Sequence, residues 1–310
     1  MTAAGNDDFR ARVAPFRGEL QAYCYRMLGS VQDAEDAVQD ALLGAWRGLA
    51  GFEGRSSLRS WLYQIATHAC LRLMTRRQRR IVPPEHGPPS EGTDLAPMLE
   101  ASLWLEPYPA DAGMSFEQRE SIELAFVAAL QHLPGTQRAA LILRDVLGFE
   151  ASEAAEIVGA SVAALNSALQ RARQTMQANG PATSQQAMLR DLGEAGERAL
   201  VTAFVDAWGR SDVDALVKLL AEDARFSMPP IPTWFVGREA IGRFFRERVF
   251  ATPWRLVPMR ASAQPAFACY QGPDFRLGAL NVIGLRGPLI AETTGFLDPA
   301  VHARFLFPDR

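Results

Sequence analysis

The sequence predicts a multidomain chain: two all-α modules, the second ending in a helix-turn-helix, followed by an α+β domain. Three observations carry this. Apolar residues repeat at helical spacing through residues 10–80 and again through 116–178. Between them, Pro83, Pro84, Pro88, Pro89, Pro97, Pro107 and Pro109 break any long helix. From about residue 194 helical patterns give way to alternating, strand-like runs. Helices followed by a run of strands make an α+β domain, and 310 residues exceed one small core.

In the first module Val38, Leu42, Trp46 and Leu49 form an apolar stripe, with Asp33, Asp36 and Asp40 on the opposite face. Gly51-Phe-Glu-Gly54 interrupts it. The next helix buries Leu62, Ile65, Ala66, Ala69 and Leu73 and carries Arg72, Arg76, Arg79 and Arg80 on its other side. The interrupted stretch that follows reads as a linker with one apolar insert, Leu103-Trp-Leu-Glu-Pro-Tyr108, of a kind that docks. A long amphipathic helix through Leu124, Val127 and Leu130 ends at Leu133-Pro-Gly-Thr136, and Thr136 is placed to cap the next helix. A short helix at 152–158, the turn at Gly159 and a longer helix from Ser161 make the helix-turn-helix pattern. Residues 179–193 read as a second linker. Helices at 198–209 and 213–220, a strand at 224–228, a helix at 238–250 and strands near 255–261, 266–271, 275–285 and 289–297 complete the chain.

The bulk numbers exclude more than they select. A net charge of −3 gives no sign of nucleic-acid binding. Cys24, Cys70 and Cys269 are far apart, so neither a zinc site nor a disulfide framework is expected, and no cofactor is. No apolar run reaches bilayer length and Met1-Thr-Ala-Ala-Gly-Asn-Asp-Asp8 does not open a signal peptide, so a cytoplasmic protein without membrane partners is expected.

Local charge is more telling. Residues 55–80 and 161–176 both contain several arginines and no acidic residue, within a net-negative chain. Crowded like charge points to a polyanion, and two such helices point to two contacts with one long ligand, duplex DNA. On a helical wheel Val162, Leu165, Leu169, Ala172 and Met176 share one face. Ala163, Ser167, Gln170, Arg171 and Gln174 point away, flanked by Asn166 and Arg173. Amides pair with adenine edges, arginine pairs with guanine or phosphate, and small residues admit the groove floor. Ser161 caps the helix and aims free amides at a phosphate. In the earlier helix Trp61, Tyr63 and His68, with Phe52 before them, could hold unstacked bases beside the arginines. The competing reading makes both helices ordinary amphipathic elements with solvated faces and Trp61 a core residue.

These residues resemble a known family. Asp33-Ala-Glu-Asp-Ala-Val-Gln-Asp40 with Trp46, then Phe52-Glu-Gly-Arg-Ser-Ser-Leu-Arg-Ser-Trp-Leu-Tyr63, resembles region two of bacterial sigma factors of the extracytoplasmic-function (ECF) type. Leu133-Pro-x-x-x-Arg138, Leu147-Gly-Phe149 and residues 161–173 resemble region four. The resemblance implies a region-two helical bundle at 1–80, a linker at 81–118, a region-four helix-turn-helix at 119–178 and a linker at 179–193. It implies that Asp33, Asp36, Gln39 and Asp40 dock on core RNA polymerase. Arg55, Trp61, His68, Arg72, Arg76 and Arg77 would capture and open the minus-ten promoter element. Residues 161–173 would read the minus-thirty-five element, and Gln174 extends the face the wheel places there. Residues 194–310 resemble SnoaL-like domains, through Trp208, Leu220, Asp223-Ala224, Met228-Pro-Pro230 and Gly237-Arg-Glu-Ala-Ile241. That implies a cone-shaped α+β fold, a curved antiparallel sheet around a pocket, with Phe226, Met228, Trp234 and Phe235 lining a possible small-molecule site. Asp206, Asp223, Glu292 and His302 are scattered and form no catalytic pair, so the expectation is a transcription initiation factor tuned by its own C-terminal domain and not an enzyme. The alternatives are a DNA-binding regulator fused to an isomerase- or hydrolase-like domain, and a regulator that binds duplex without polymerase.

Overall fold

Helix α1 (Arg17–Leu28) ends at Gly29, whose φ of 71° is a left-handed conformation natural to glycine. Ser30 Oγ then accepts the Asp33 amide at 3.1 Å and starts α2 (Val31–Gly48). Ser57 Oγ accepts the Ser60 amide at 3.0 Å and starts α3 (Leu58–Met74). Each cap satisfies an orphan amide and contributes about 1 kcal/mol. Leu20, Tyr23, Met27, Ala34, Ala37, Val38, Leu62, Ala66 and Ala69 are buried between the three helices. Gly44 and Gly48 let α2 and α3 approach closely. A Cβ on either would stand 3.3 Å from Ile65 or from the Trp61 ring.

The computed structural model describes residues 9–54, 56–109 and 116–307, and the chain divides into two units. One comprises residues 1–80 and 125–182; the other comprises 81–124 and 183–310. In the first, the three-helix bundle is joined by α4 (Leu124–Leu130), α5 (Gly135–Leu141), α6 (Ala151–Val158) and α7 (Val162–Asn179). A π-helical turn, Ile142–Val146, extends α5. Gly148 (φ 68°) and Gly159 (φ 73°) make the turns on either side of α6. Thr136 is not the expected cap, because α5 already begins at Gly135, after Pro134.

The helix expected to run unbroken to Leu130 is interrupted between Phe116–Glu120 and Leu124–Leu130. The reason is tertiary. The Glu123 carboxylate accepts the Gln185 and Gln186 amides at 2.8 and 2.7 Å, and the Leu124 amide donates to Gln264 Oε1 at 2.9 Å. Those partners replace the local helical ones.

In the second unit α8 (Gln185–Gly209) starts eight residues before the expected linker end, capped by Ser184 and kinked at Gly193. After α9 (Val213–Leu219) come β1 (Leu220–Met228), β2 (Ile231–Val236), α10 (Arg238–Glu247), β3 (Trp254–Ala261), β4 (Gln264–Gln271), β5 (Arg276–Arg286) and β6 (Leu289–Phe296). Strand β2 was hidden in the sequence by Pro229, Pro230 and Pro232. The sheet order is β2-β1-β6-β5-β4-β3. It is mixed rather than wholly antiparallel, since β1 and β6 pair in parallel. One face of the sheet packs with α8, α9 and α10 around a ring-rich core that includes Phe204, Trp208, Phe226, Phe244 and Phe267. Such rings dominate burial energetics, at about 2–3 kcal/mol for each fully buried side chain.

The linker is not free chain. Trp104, Leu105 and Tyr108 are buried. Tyr108 and Ser262 exchange two hydrogen bonds, Tyr108 N–H to Ser262 Oγ at 3.0 Å and Ser262 N–H to Tyr108 O at 2.7 Å. Upstream, Trp234 Nε1 donates to Gly87 O (2.8 Å), the Leu99 amide donates to Pro230 O (3.0 Å), and Arg248 pairs with Asp94 (2.8 Å). The expected docking insert therefore packs in the same unit as the sheet, and residues 87–99 are held there too.

Candidate nucleic-acid interface

Helix α7 presents the expected face. Leu165, Ala168, Leu169 and Ala172 are buried, while Ser161, Ala163, Asn166, Ser167, Gln170, Arg171 and Gln174 are exposed. Ser161 Oγ accepts the Ala164 amide at 3.2 Å, which confirms the cap. Ser167 Oγ is committed to the Ala163 carbonyl at 3.0 Å, so its contribution to a groove is its small size. Val162 departs from the wheel. It lies at the helix start and is 42% exposed. Arg173 is held by Asp145 through two bonds, Nε at 2.9 Å and Nη2 at 2.7 Å, and its pKa is raised by that carboxylate. It remains 60% exposed, with further N–H groups directed elsewhere.

On α3, His68 and Arg72 are exposed, and Arg76 is exposed in the turn just after the helix. Trp61 is half-buried and packs on Phe52 at 4.8 Å between ring centroids, so part of it is core and part remains accessible. Arg55 lies outside the described residues.

The acidic surface needs a correction. Asp36, Gln39 and Asp40 are exposed on α2 as expected, but Asp33 is not. Its carboxylate is buried, ion-paired with Arg77 and with Arg80 at 2.7 Å. It pins the basic segment after α3 to the start of α2. The wheel misplaced it because Asp33 sits in the first turn, where a carboxylate also suits the helix dipole and the following chain folds back over it. Arg77 is correspondingly engaged with Asp33, and lies 3.8 Å from Asp36.

A residue not foreseen as structural is Arg138. It is buried and donates to the carbonyls of Gln131 and Leu133 at 3.0 Å, to Gln131 Oε1 at 2.7 Å, and to the Met27 carbonyl. Burial lowers its pKa to about 9, so it stays cationic at neutral pH. Its place in the Leu133-Pro-x-x-x-Arg138 spacing was the only signal of its importance.

In the second unit the four residues expected around a ligand all contact other parts of the protein. The Phe235 ring stacks on Phe244 at 4.3 Å, and Phe226 meets Phe245 edge-on at 5.0 Å. Met228 is buried in the same cluster. Trp234 aims its N–H at the linker carbonyl of Gly87. Asp206 is exposed, Asp223 is ion-paired with Arg286, and His302 Nε2 contacts the Phe296 carbonyl at 2.7 Å. Burial raises the pKa of Glu292, partly offset by Arg225. Among the described residues no group of three or more His, Cys, Asp or Glu is placed to hold a metal ion, and no helix is long and apolar enough to cross a membrane.

Comparison with known proteins agrees with this layout. Sigma-70 region 2 matches residues 13–80, Sigma-70 region 4 matches 123–176, and a SnoaL-like domain matches 201–271. The chain is 41% identical to the ECF RNA polymerase sigma factor SigG of Mycobacterium tuberculosis, over 97% of this chain and 84% of that protein. It is 32% identical to the ECF RNA polymerase sigma factor EcfG of Rhodopseudomonas palustris, over 57% of this chain and 86% of that one. The crystal structure of the M. tuberculosis ECF sigma factor SigJ shares the fold, with a TM-score of 0.60 at 19% identity, covering 96% of this chain and all of that one. Two sigma regions in order, a SnoaL-like domain after them and a relative matched nearly end to end place this chain in the ECF RNA polymerase sigma factors of the sigma-70 family.

Proposed function

We propose a division of labour within this initiation factor. Helix α7 reads the minus-thirty-five element through Asn166, Gln170, Arg171 and Gln174, with Ser161 and Arg173 at phosphates. Helix α3 and the turn after it meet the minus-ten element through Trp61, His68, Arg72 and Arg76. The exposed carboxylates Asp36 and Asp40, with Gln39, meet basic residues of core polymerase in the cytoplasm. The observation that supports this best is the face of α7, a capped helix exposing amide, guanidinium and small side chains with no carboxylate among them.

The SnoaL-like domain acts on the factor through its grip on the linker. Trp234, Arg248 and Ser262 hold residues 87–108, the chain that joins the two sigma regions. Linker geometry then sets how the regions can be spread on a promoter. A scaffold is supported by the rings packed on the expected pocket residues and by the partners of Asp223 and His302, an arginine and a backbone carbonyl.

The test is run-off transcription with core polymerase on templates carrying or lacking the minus-thirty-five element. Arg171→Ala should lower output only where that element is present. Equal loss on both templates would refute the assignment of α7. Trp234→Ala should change output without altering binding of a duplex that carries the minus-thirty-five element alone. Unchanged transcription would remove the regulatory role of the linker grip.

A further inference from the structure

Strands β3 and β4 are joined by two residues, Ser262 and Ala263, closed by the Ala261–Gln264 pair. Both have positive φ, 50° and 57°, as the central residues of a type I′ turn do. Asn and Gly suit those positions, and a hairpin on its own gains nothing from Ser and Ala there. Both residues are buried, as is Gln264 after them. What the turn does have is partners, and each of the three residues holds a different stretch of chain.

Ser262 exchanges its two bonds with Tyr108, at the end of the docked linker. The Ala263 carbonyl accepts from Gln186 Nε2 at 2.8 Å, in the first turn of α8. Gln264 Oε1 accepts the Leu124 amide at 2.9 Å, where α4 begins, and its Nε2 donates to the Ile283 carbonyl at 3.0 Å, which fixes the side chain to the sheet. Glu123 joins the last two stretches directly, since its carboxylate accepts the Gln185 and Gln186 amides. Gln185 is in turn bound to Leu285, donating to its carbonyl at 3.1 Å and accepting its amide at 2.6 Å.

These stretches are where region four is attached. The chain passes into the sigma unit after Leu124 and leaves it after Ala182. Both attachments are thus bonded, at or just past the crossing, to one turn of the SnoaL-like domain that also holds the end of the linker. We propose that the β3–β4 turn, with Glu123, is a positioning device that fixes both ends of region four against the linker and so sets the spacing of promoter elements this factor accepts. The proposal rests on the reading in which the SnoaL-like domain acts through the linker and α7 reads the minus-thirty-five element. A buried, fully paired polar network selects one geometry over near alternatives. Released from it, region four would hang on two free tethers and reach its element over a wider range of spacings.

The test is run-off transcription with core polymerase and full-length chain, on templates whose two elements stand at the preferred spacing or a single base pair off it. Gln264→Leu removes the acceptor of the Leu124 amide. Glu123→Ala removes the acceptor of the Gln185 and Gln186 amides without touching the sheet, and is the milder change because burial already disfavours the Glu123 charge. Melting curves establish that each variant is folded. Each should raise output at the off-length spacings, relative to the preferred one, by about fivefold, the factor that one lost hydrogen bond is worth. Binding of a duplex with the minus-thirty-five element alone should match wild-type protein. Ala263→Gly relieves the left-handed backbone and keeps the carbonyl, so it should raise the melting temperature and leave the spacing ratio alone. A ratio within about 1.5-fold of wild type in the folded variants, or one shifted equally by Ala263→Gly, would overturn the proposal. If Trp234→Ala alters output while these ratios stay fixed, the linker grip stands and the turn alone is refuted. Equal wild-type output with and without the minus-thirty-five element would refute the reading of α7, and the role of the turn with it.

Discussion

Replacing Asp33 with Ala should destabilise the sigma unit, and the size follows from burial. The side chain is 5% exposed and pairs with Arg80, itself 7% exposed, at 2.7 Å. Its second partner, Arg77, is 43% exposed and contributes little, because exposed ion pairs are worth under about 1 kcal/mol. Removing one member of a buried pair typically costs about 3–5 kcal/mol, since the partner loses its counter-charge in a poorly solvated site. The Asp33 oxygens are also the nearer end of the tie that folds residues 75–80 back on α2. The lower end, about 3 kcal/mol, is the reasoned figure, because Arg80 keeps other contacts. For a unit of this size that corresponds to a melting-temperature drop of about 10 °C. Thermal and urea unfolding of Asp33→Ala, Arg80→Ala and the double variant would measure it as a cycle. A coupling above about 1.5 kcal/mol is expected. If Asp33→Ala melts with wild-type protein yet loses affinity for core polymerase, Asp33 is a docking residue after all and the buried-pair reasoning is wrong.

Further outcomes are as definite. Arg171→Ala should cost about 1–3 kcal/mol of binding to a duplex with the minus-thirty-five element and relax base preference there, whereas Arg173→Ala should weaken all sequences evenly; fluorescence anisotropy over a base-substitution series separates the two. Trp234→Phe removes one partly buried hydrogen bond, worth about 1 kcal/mol, and should raise hydrogen exchange over residues 87–99. Glu123 has its pKa pushed up to about 7 by burial, against the amides of Gln185 and Gln186, which pull it down. The folded unit therefore binds more protons than the unfolded chain between the ordinary carboxylate range and pH 7. Its stability should fall as pH rises through that window, and Glu123→Gln should flatten the slope. Denaturant midpoints from pH 5 to 8 check this; a rising midpoint for wild-type protein would contradict it.

Much of the architecture was legible because helical periodicity is a local signal. Val38, Leu62, Leu165 and Leu169 announce their faces, and Ser161 announces a cap. What escaped were features set by distant partners. Asp33 shares its polar character with Asp36 and Asp40, and only the return of Arg77 and Arg80 buries it. The break at residues 121–123 depends on the start of α8 and on Gln264, more than sixty positions downstream. Strand β2 is short and surrounded by prolines, and only its pairing with β1 makes it a strand. The ring cluster shows the same limit from the other side. Phe226 and Phe235 are buried beside Phe244 and Phe245, neighbours that lie in a helix the sequence pattern did not connect to them.

The most direct measurement is reconstituted run-off transcription with core RNA polymerase, full-length chain and genomic templates, with Asp36→Arg/Asp40→Arg as control. RNA starting at a fixed distance downstream of paired promoter elements, and lost with the charge-reversed variant, is the predicted result. No RNA from any template, or RNA equally abundant with the reversed charges, would contradict the placement of polymerase on α2 and of DNA on α3 and α7.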